Sequence, residues 1–415
     1  MLAFSGGPDS TCLLHVLASL EHQRELLAVH VDHGLDRGSA RRADQAAAMA
    51  AALGVDCRVE RVQVRRTGSI EANARRARYT ALRPYISEGS VLLTAHHADD
   101  VAETVLLRLI RGSGPAGLSG IPPRRGFGNG WLMRPALHWR RQHIERYLNA
   151  HGLKACHDPA NDLMSMDRNF LRHEVMPLLQ ERFPGYINGF VRSARLNRSA
   201  ASVLTEVSAR DIRAAEQAGP SLALAPLRKL DPFRRAEALR NWCLLHARRP
   251  PPGARLDEFL RQIELAEKDR QPELRWDDSV LRRHADAIWL DTAQDGMEPW
   301  QIDWDGQQSL TLPDRAGRLA FSSTLPVLAL SVRSGRAGER LCCQPALGRQ
   351  QVKKLLADRG VPPWQRPHWP RLWLDEKLVA VGDQWLDAAF AEYLQARSTQ
   401  LVWRSELRDA VVTRR

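Results

Sequence analysis

The sequence predicts an α/β fold in which a parallel-sheet catalytic domain is followed by a helical domain and a small α+β C-terminal domain. Three observations predict it. Strand-like and helix-like segments alternate over the first 155 or so residues, Ala-, Leu- and Arg-rich helical stretches fill 195–270, and short strand-like runs return after Trp276. Strict β–α alternation implies a parallel sheet covered on both faces.

The elements follow in order. Residues 2–4 are the stub of a first strand, and in 10–20 Leu13, Leu14, Leu17 and Leu20 mark one face of a helix. The run LLAVHVD at 26–32 reads as a buried strand, and the Ala-rich stretch 39–53 as a helix stopped by Gly54. A strand at 55–64, a helix at 71–87, a strand at 91–95 and a helix at 98–111 come next, then a strand at 131–137 and a helix at 140–151. RRPPPG at 248–253 breaks the helical region. The last part carries strands at 287–290 and 309–312, a Gly-rich link at 333–338, a helix at 349–359, and a hairpin of 372–374 with 378–381. The expected boundaries are 1–195, 196–300 and 301–415.

Composition narrows the partners. Sixty basic against 48 acidic residues leave a net charge of +12 over 415 residues, which favours a polyanion such as RNA or DNA. Only six of the basic residues are lysines, so arginine supplies 54, consistent either with phosphate recognition or with codon usage. No apolar run reaches the ~18–20 residues of a membrane span and no secretory leader is visible, so the expected location is cytoplasmic. Six cysteines without CxxC spacing argue against a structural zinc site, an iron–sulfur cluster or a disulfide framework.

The sharpest motif is SGGPDS at 5–10, between the strand stub and the first helix. Gly6 and Gly7 let backbone amides approach an anion, the helix start adds partial positive charge, and Ser5 and Ser10 add hydroxyls. No lysine follows, so this is not a GxxxxGK[ST] loop. On the helix starting near Ala98, Asp100 and Glu103 share a face at i,i+3, and Asp99 and Glu103 at i,i+4. Carboxylates grouped over a phosphate site repel unless a cation joins them, either Mg²⁺ or an ammonium group. The alternative is an acid-rich, solvated helix start. The stripe Val101, Val105, Leu106 and Leu109 is expected to fix this helix on the sheet. His33, His96 and His97 read as general bases or as hydrogen-bonded structural groups. Arginines at 75, 76 and 78 and at 192, 195 and 198 form stripes that follow a phosphate backbone or make a solvated face.

These motifs resemble those of the ATP pyrophosphatase, or PP-loop, superfamily, and within it the tRNA(Ile)-lysidine synthetases. SGGPDS is similar to the pyrophosphate loop, HVDHGL at 30–35 to a segment lining the nucleotide site, and EANARRARY at 71–79 to the next signature. The longest similarity is HHADDVAETVLLRLIRGSGPAGLSG at 96–120, followed by Arg134-Pro135, DPANDLMSMDRNFLR at 158–172, and GER, KKLL and VPPWQR at 338–340, 353–356 and 361–366. The resemblance implies a PP-loop catalytic domain and two tRNA-binding domains. It implies ATP and Mg²⁺ as cofactors, and as partners free L-lysine and the tRNA(Ile) with a CAU anticodon; a homodimer is left open. The implied reaction adenylates C2 of the wobble cytidine, releasing pyrophosphate, and then joins lysine to C2 with release of AMP.

By the same resemblance Ser5, Gly6, Gly7, Pro8, Asp9, Ser10 and His33 bind ATP. Asp9, Asp100 and Glu103 are catalytic, Asp100 and Glu103 hold the substrate lysine, and Asp9 and Asp99 hold the metal. Arg75, Arg111, Arg168, Arg192 and Arg195 contact tRNA. Two departures stand out: only Met1 to Phe4 precede the loop, and Asp36 occupies a position where the family places a basic residue. The competing readings are a 2-thiocytidine synthetase, which is expected to show CxxC pairs, and a non-catalytic, ATP-regulated RNA-binding protein.

Overall fold

The computed structural model describes residues 1–20, 25–217, 219–265, 270–293, 298–314 and 316–405. They form two compact units, Met1–Val203 and Leu204–Arg415.

The first unit is built on six strands: β1 (Leu2–Ala3), β2 (Leu27–Asp32), β3 (Asp56–Arg61), β4 (Val91–Leu93), β5 (Arg124–Phe127) and β6 (Gly130–Met133). Their order is β3-β2-β1-β4-β6-β5, with every neighbouring pair parallel except β5–β6. Helices α1 (Pro8–Ala18), α2 (Ser39–Ala52) and α3 (Ile70–Leu82) follow the first three strands, and α4 (Ala98–Ile110) follows β4. Leu13 and Leu14 of α1 and Ala46 and Ala50 of α2 pack with Leu2, Phe4 and Ala28 on one face. On the other face Leu82 and Tyr79 of α3 pack with Val29, Leu92, Leu132 and Phe127.

The strand order turns back at β1. β2 and β3 lie on one side of it, β4 and β6 on the other. Such a switch point opens a crevice beyond the carboxyl ends of the strands, where doubly wound sheets bind ligands. SGGPDS leaves β1 there and HHADD leaves β4. The unit continues through α5 (Pro115–Leu118), α6 (Arg141–Ala150), α7 (Asp167–Phe170), a π-helical turn at Leu171–Val175 and α8 (Met176–Arg182), and ends at Val203 within α9 (Tyr186–Ala215).

Three local expectations change. The first helix begins at Pro8, because proline lacks the N–H that a first helical position leaves unpaired anyway. The strand expected at 131–137 ends at Met133, since Pro135 cannot donate to a ladder, and Pro135–His138 form a 3₁₀ turn. β5 falls where no element is expected from the sequence: RRGF pairs antiparallel with β6 as the sheet edge.

The second unit holds two apolar cores. In one, helices α10 (Leu224–Arg228), α11 (Pro232–Leu245) and α12 (Gly253–Leu265) bury Leu239, Trp242 and Phe259 against Leu281 and Ile288. The strands there form a four-stranded antiparallel sheet, Ser221–Ala223, Ala287–Thr292, Ser279–His284 and Glu273–Trp276, so 196–300 carries more strand than its helical composition suggests. The other core surrounds Trp369 and Trp403 under a five-stranded sheet that includes Arg371–Leu374 and Lys377–Val381. The expected hairpin is present: Asp375 and Glu376 both take positive φ, 45° and 57°, as a two-residue primed turn requires. Trp369, Trp373 and Trp385 belong to this core. Among the described residues no helix is long and apolar enough to cross a membrane.

Gly130 lets β6 start against the preceding loop, because a Cβ there would lie 2.3 Å from the Ser90 carbonyl oxygen. Gly130→Ala is therefore expected to cost about 1–3 kcal/mol, the usual range for overpacking, read as a lower midpoint in thermal or urea unfolding.

Candidate active site

The loop after β1 is held from beneath. Gly6 takes φ +78°, its carbonyl accepts from Cys156 N at 2.8 Å and Thr11 Oγ1 at 3.2 Å, and an added Cβ would meet Cys156 Sγ at 3.3 Å. Both the backbone sign and the close approach call for glycine. Ser5 Oγ and Ser10 Oγ lie 3.0 Å apart, and Ser10 Oγ donates to the Gly7 carbonyl at 3.1 Å. Gly7 is the N-cap of α1 and offers no side chain to the first-turn amides, so that terminus is available to an anion. Asp9 stands in this first turn with its side chain 38% exposed.

Opposite lies the start of α4. Asp100 Oδ2 accepts from His97 N at 3.0 Å, closing the helix N-terminus. The His97 ring is 1% exposed and sits among three carboxylates: Nε2 is 3.4 Å from Asp9 Oδ1 and 3.7 Å from Asp100 Oδ2, and Nδ1 is 3.5 Å from Asp99 Oδ2. Burial works against a charged ring, but Asp9, Asp99 and then Asp100 outweigh it and raise the His97 pKa to about 10. The ring is thus an imidazolium at neutral pH. Burial likewise opposes ionisation of Asp100, yet His97 and Arg168 hold its pKa at about 2. Asp99 also accepts from Arg141 N at 3.0 Å and lies 3.7 Å from Arg140 Nε.

Glu103 is almost wholly buried and carries two guanidinium groups. Arg168 Nε donates to Glu103 Oε2 at 2.6 Å, and Arg172 Nε donates to Oε1 at 2.7 Å. The same arginines reach Asp100 Oδ1 at 3.1 and 3.5 Å. Arg168 and Arg172 share a face by their i,i+4 spacing across α7 and the π-helical turn. Next to them Asn169 donates to the Ala160 and Leu163 carbonyls and ties down the preceding turn.

The remaining candidates fall as follows. His33 is half-buried, and burial, Arg78 and His30 lower its pKa to about 4, so it stands neutral beside Arg78. His96 is likewise lowered to about 4, chiefly by burial, and its Nδ1 lies 2.9 Å from Thr94 Oγ1. Arg111 pairs with Asp167 at 2.9 Å, both exposed, and Arg75, Arg192 and Arg195 are exposed on α3 and α9. Arg198 donates instead to the Ser119 and Ile121 carbonyls, and Arg108 to those of Gly117 and Gly120, so the 117–121 segment is tied at four carbonyls. Asp36 accepts from Gly38 N and pairs with Arg42, a local tie at the start of α2. Leu109, expected on the buried stripe, is 54% exposed.

The chain brings together Asp9, Asp99, Asp100 and Glu103. Sequence reasoning weighed His97 without its bridging place and assigned no role to Arg172. The signals were present in the His-His dipeptide just before Asp99-Asp100 and the i,i+4 spacing of Arg168 and Arg172. For Mg²⁺, Asp9 fits, because its carboxylate is open to solvent in the first turn of α1, beside an N-terminus with no side-chain cap. Asp99 fits less well, with Oδ2 taken by an amide and flanked by cations.

An amide-lined loop at the switch point of a parallel sheet, facing acidic groups, defines a PP-loop nucleotide-binding protein, and residues 1–179 match the PP-loop domain family. Residues 222–289 match the TilS substrate binding domain and 330–403 the TilS substrate C-terminal domain. The chain is 41% identical to the tRNA(Ile)-lysidine synthase of Alkalilimnicola ehrlichii, covering 92% of this chain and 88% of the relative. It is 38% identical to that of Xanthomonas campestris, covering 98% and 95%, and 39% identical to that of Pseudomonas aeruginosa, covering 92% and 89%. The chain belongs to the tRNA(Ile)-lysidine synthase family. Among solved structures it is similar to the U34-tRNA thiolase NcsA of Methanococcus maripaludis, at 18% identity and TM-score 0.40 over 48% of this chain and 70% of that one.

Removing one partner of a buried pair strands the other. Glu103→Gln is expected to destabilise the protein by about 3–5 kcal/mol in denaturant unfolding. Combining it with Arg172→Gln is expected to cost less than the sum of the two single changes, since the two side chains share one network.

Proposed function

We propose that this chain ligates free L-lysine to C2 of the wobble cytidine in the CAU anticodon of tRNA(Ile), using ATP and Mg²⁺. The observation that carries the reading is one chain joining a PP-loop that faces a charge-compensated carboxylate cluster to two segments of the TilS substrate families. The thiolase alternative loses its ground: among six cysteines none has CxxC spacing.

The chemistry follows from the geometry. The cytidine O2 attacks the α-phosphorus of ATP, the bond to the bridging oxygen breaks, and pyrophosphate leaves. The amides at the start of α1, with Ser5 and Ser10, receive the negative phosphates. Mg²⁺ held by Asp9 supplies further charge neutralisation at those phosphates. The lysine ε-amine then attacks C2, the C2–O bond breaks, AMP leaves with that oxygen, and the amine gives up a proton.

Asp100 and Glu103 hold the lysine. Their charge is already matched by His97, Arg168 and Arg172, so an incoming ammonium exchanges with a guanidinium and finds little net negative potential to keep its proton. That favours the neutral, nucleophilic amine. Arg111, Arg192 and Arg195, exposed around this unit, contact the tRNA.

The test incubates the purified protein with ATP, labelled lysine and a CAU transcript. ATP-dependent entry of label is expected, with elongator methionine tRNA left unlabelled; no label and no pyrophosphate release overturns the reading. Asp9→Asn is expected to slow tRNA-dependent pyrophosphate release by about 100-fold or more, the scale of losing a group that acts on transition-state charge. Asp100→Asn is expected to raise the KM for lysine about tenfold while the KM for ATP stays within twofold, measured by steady-state kinetics.

A further inference from the structure

Arginines on the surface of this chain commonly pair with carboxylates, as Arg42 does with Asp36 and Arg141 with Glu145. Along α3 and the β5–β6 hairpin they do something else. Arg75 lies 5.1 Å from the centroid of the Tyr79 ring, and Arg125 lies 5.2 Å from Tyr79 and 5.9 Å from Phe127. Arg83 lies 5.7 Å from Phe127, and on the other side of the hairpin Arg124 lies 5.1 Å from Trp131. All four arginines are exposed, and among the described residues none has a carboxylate partner.

A guanidinium held near an aromatic ring is restrained without being neutralised, so its charge and N–H groups remain available to a phosphate at reduced entropic cost. A merely solvated surface gains nothing from gathering four cations over aromatic rings at one sheet edge without counter-charges. Trp131 is 46% exposed and offers a flat surface to a base. From Arg75 to Arg83 the helix rise is about 12 Å, the axial length of three to four nucleotides of a helical strand.

The ladder begins at the reaction centre. Arg124 pairs with Met133 at the end where β4 and β6 run into the crevice, and Thr94 N donates to the Met133 carbonyl at 3.1 Å. The charges of Arg75 and of the buried Arg134 act on His96, the neighbour of His97.

We propose that Arg75, Arg83 and Arg125, held over Tyr79 and Phe127 on the α3 side of the hairpin, with Arg124 and Trp131 reached around the open β5 edge, form the surface on which the anticodon arm of the substrate RNA lies, delivering the target base to the crevice. The proposal rests on the tRNA-modifying reading above and adds to it a surface and its occupant. Sequence reasoning singled out Arg75 alone among these residues.

The test measures binding of a CAU tRNA transcript to the full chain across a salt series. The paired change Arg83→Glu with Arg125→Glu is expected to raise Kd about tenfold or more and to flatten the log Kd against log salt slope by about 1.4–1.8, the effect of two lost phosphate contacts. ATP affinity is expected to stay within twofold. Unchanged Kd and slope overturn the proposal. If the reversed variant also loses ATP binding, the decision passes to the wild type, where hydrogen exchange with and without tRNA is expected to show protection over 71–83 and 124–133; no protection there overturns it. A wild type that binds tRNA with this protection but transfers no lysine sinks the ligase reading and leaves the surface standing.

Discussion

Charge compensation at the switch point is the constraint on which the rest of this site depends. Asp99, Asp100 and Glu103 converge, with Asp9 at their solvent-facing edge, where burial makes uncompensated negative charge costly. Their counter-charges come from separate places: an imidazolium at the head of α4, Arg140 just before α6, and Arg168 and Arg172 across α7 and the turn after it. Each pair therefore also fixes an element, so the cluster holds α4 in register with the segments at 140 and at 168–172. Buried ion pairs are weak evidence for stability, but they specify position, and position is what phosphoryl transfer asks of a protein.

The PP-loop meets the opposite problem. Its ligand brings the negative charge, and the loop supplies dipoles and hydroxyls. The left-handed Gly6 turns the chain so that α1 starts at the crevice; the Cys156 amide holds its carbonyl, and the Cys156 and Ala46 side chains close the space a side chain would need. His97 lies against both halves, touching Asp9 of the loop and Asp99 and Asp100 of α4. Beyond the crevice the charge changes sign, with exposed arginines lying near aromatic rings instead of carboxylates.

Periodicity made the covered elements legible. α2 and α4 bury one apolar face each, and their expected spans agree with the structure to within a residue or two. Elements whose identity comes from a neighbour were harder to read. RRGF at 124–127 has no strand pattern and becomes β5 because β6 presents an unpaired edge. Leu109 satisfies the helical stripe yet faces solvent, because the packing partners of α4 reach only as far as Val105.

The same division runs through the site. The sequence by itself determined the phosphate loop, the acidic helix start and the polyanion preference, because each depends on residues within a few positions of one another or on net charge. Only the tertiary structure decided which cation answers which carboxylate. Arg168 and Arg172 meet Glu103 across 65 and 69 residues, and His97 meets Asp9 because β1 and β4 are neighbours in the sheet. Electrostatic pairing acts through space, and chain spacing carries no record of it until the strand order brings the partners together.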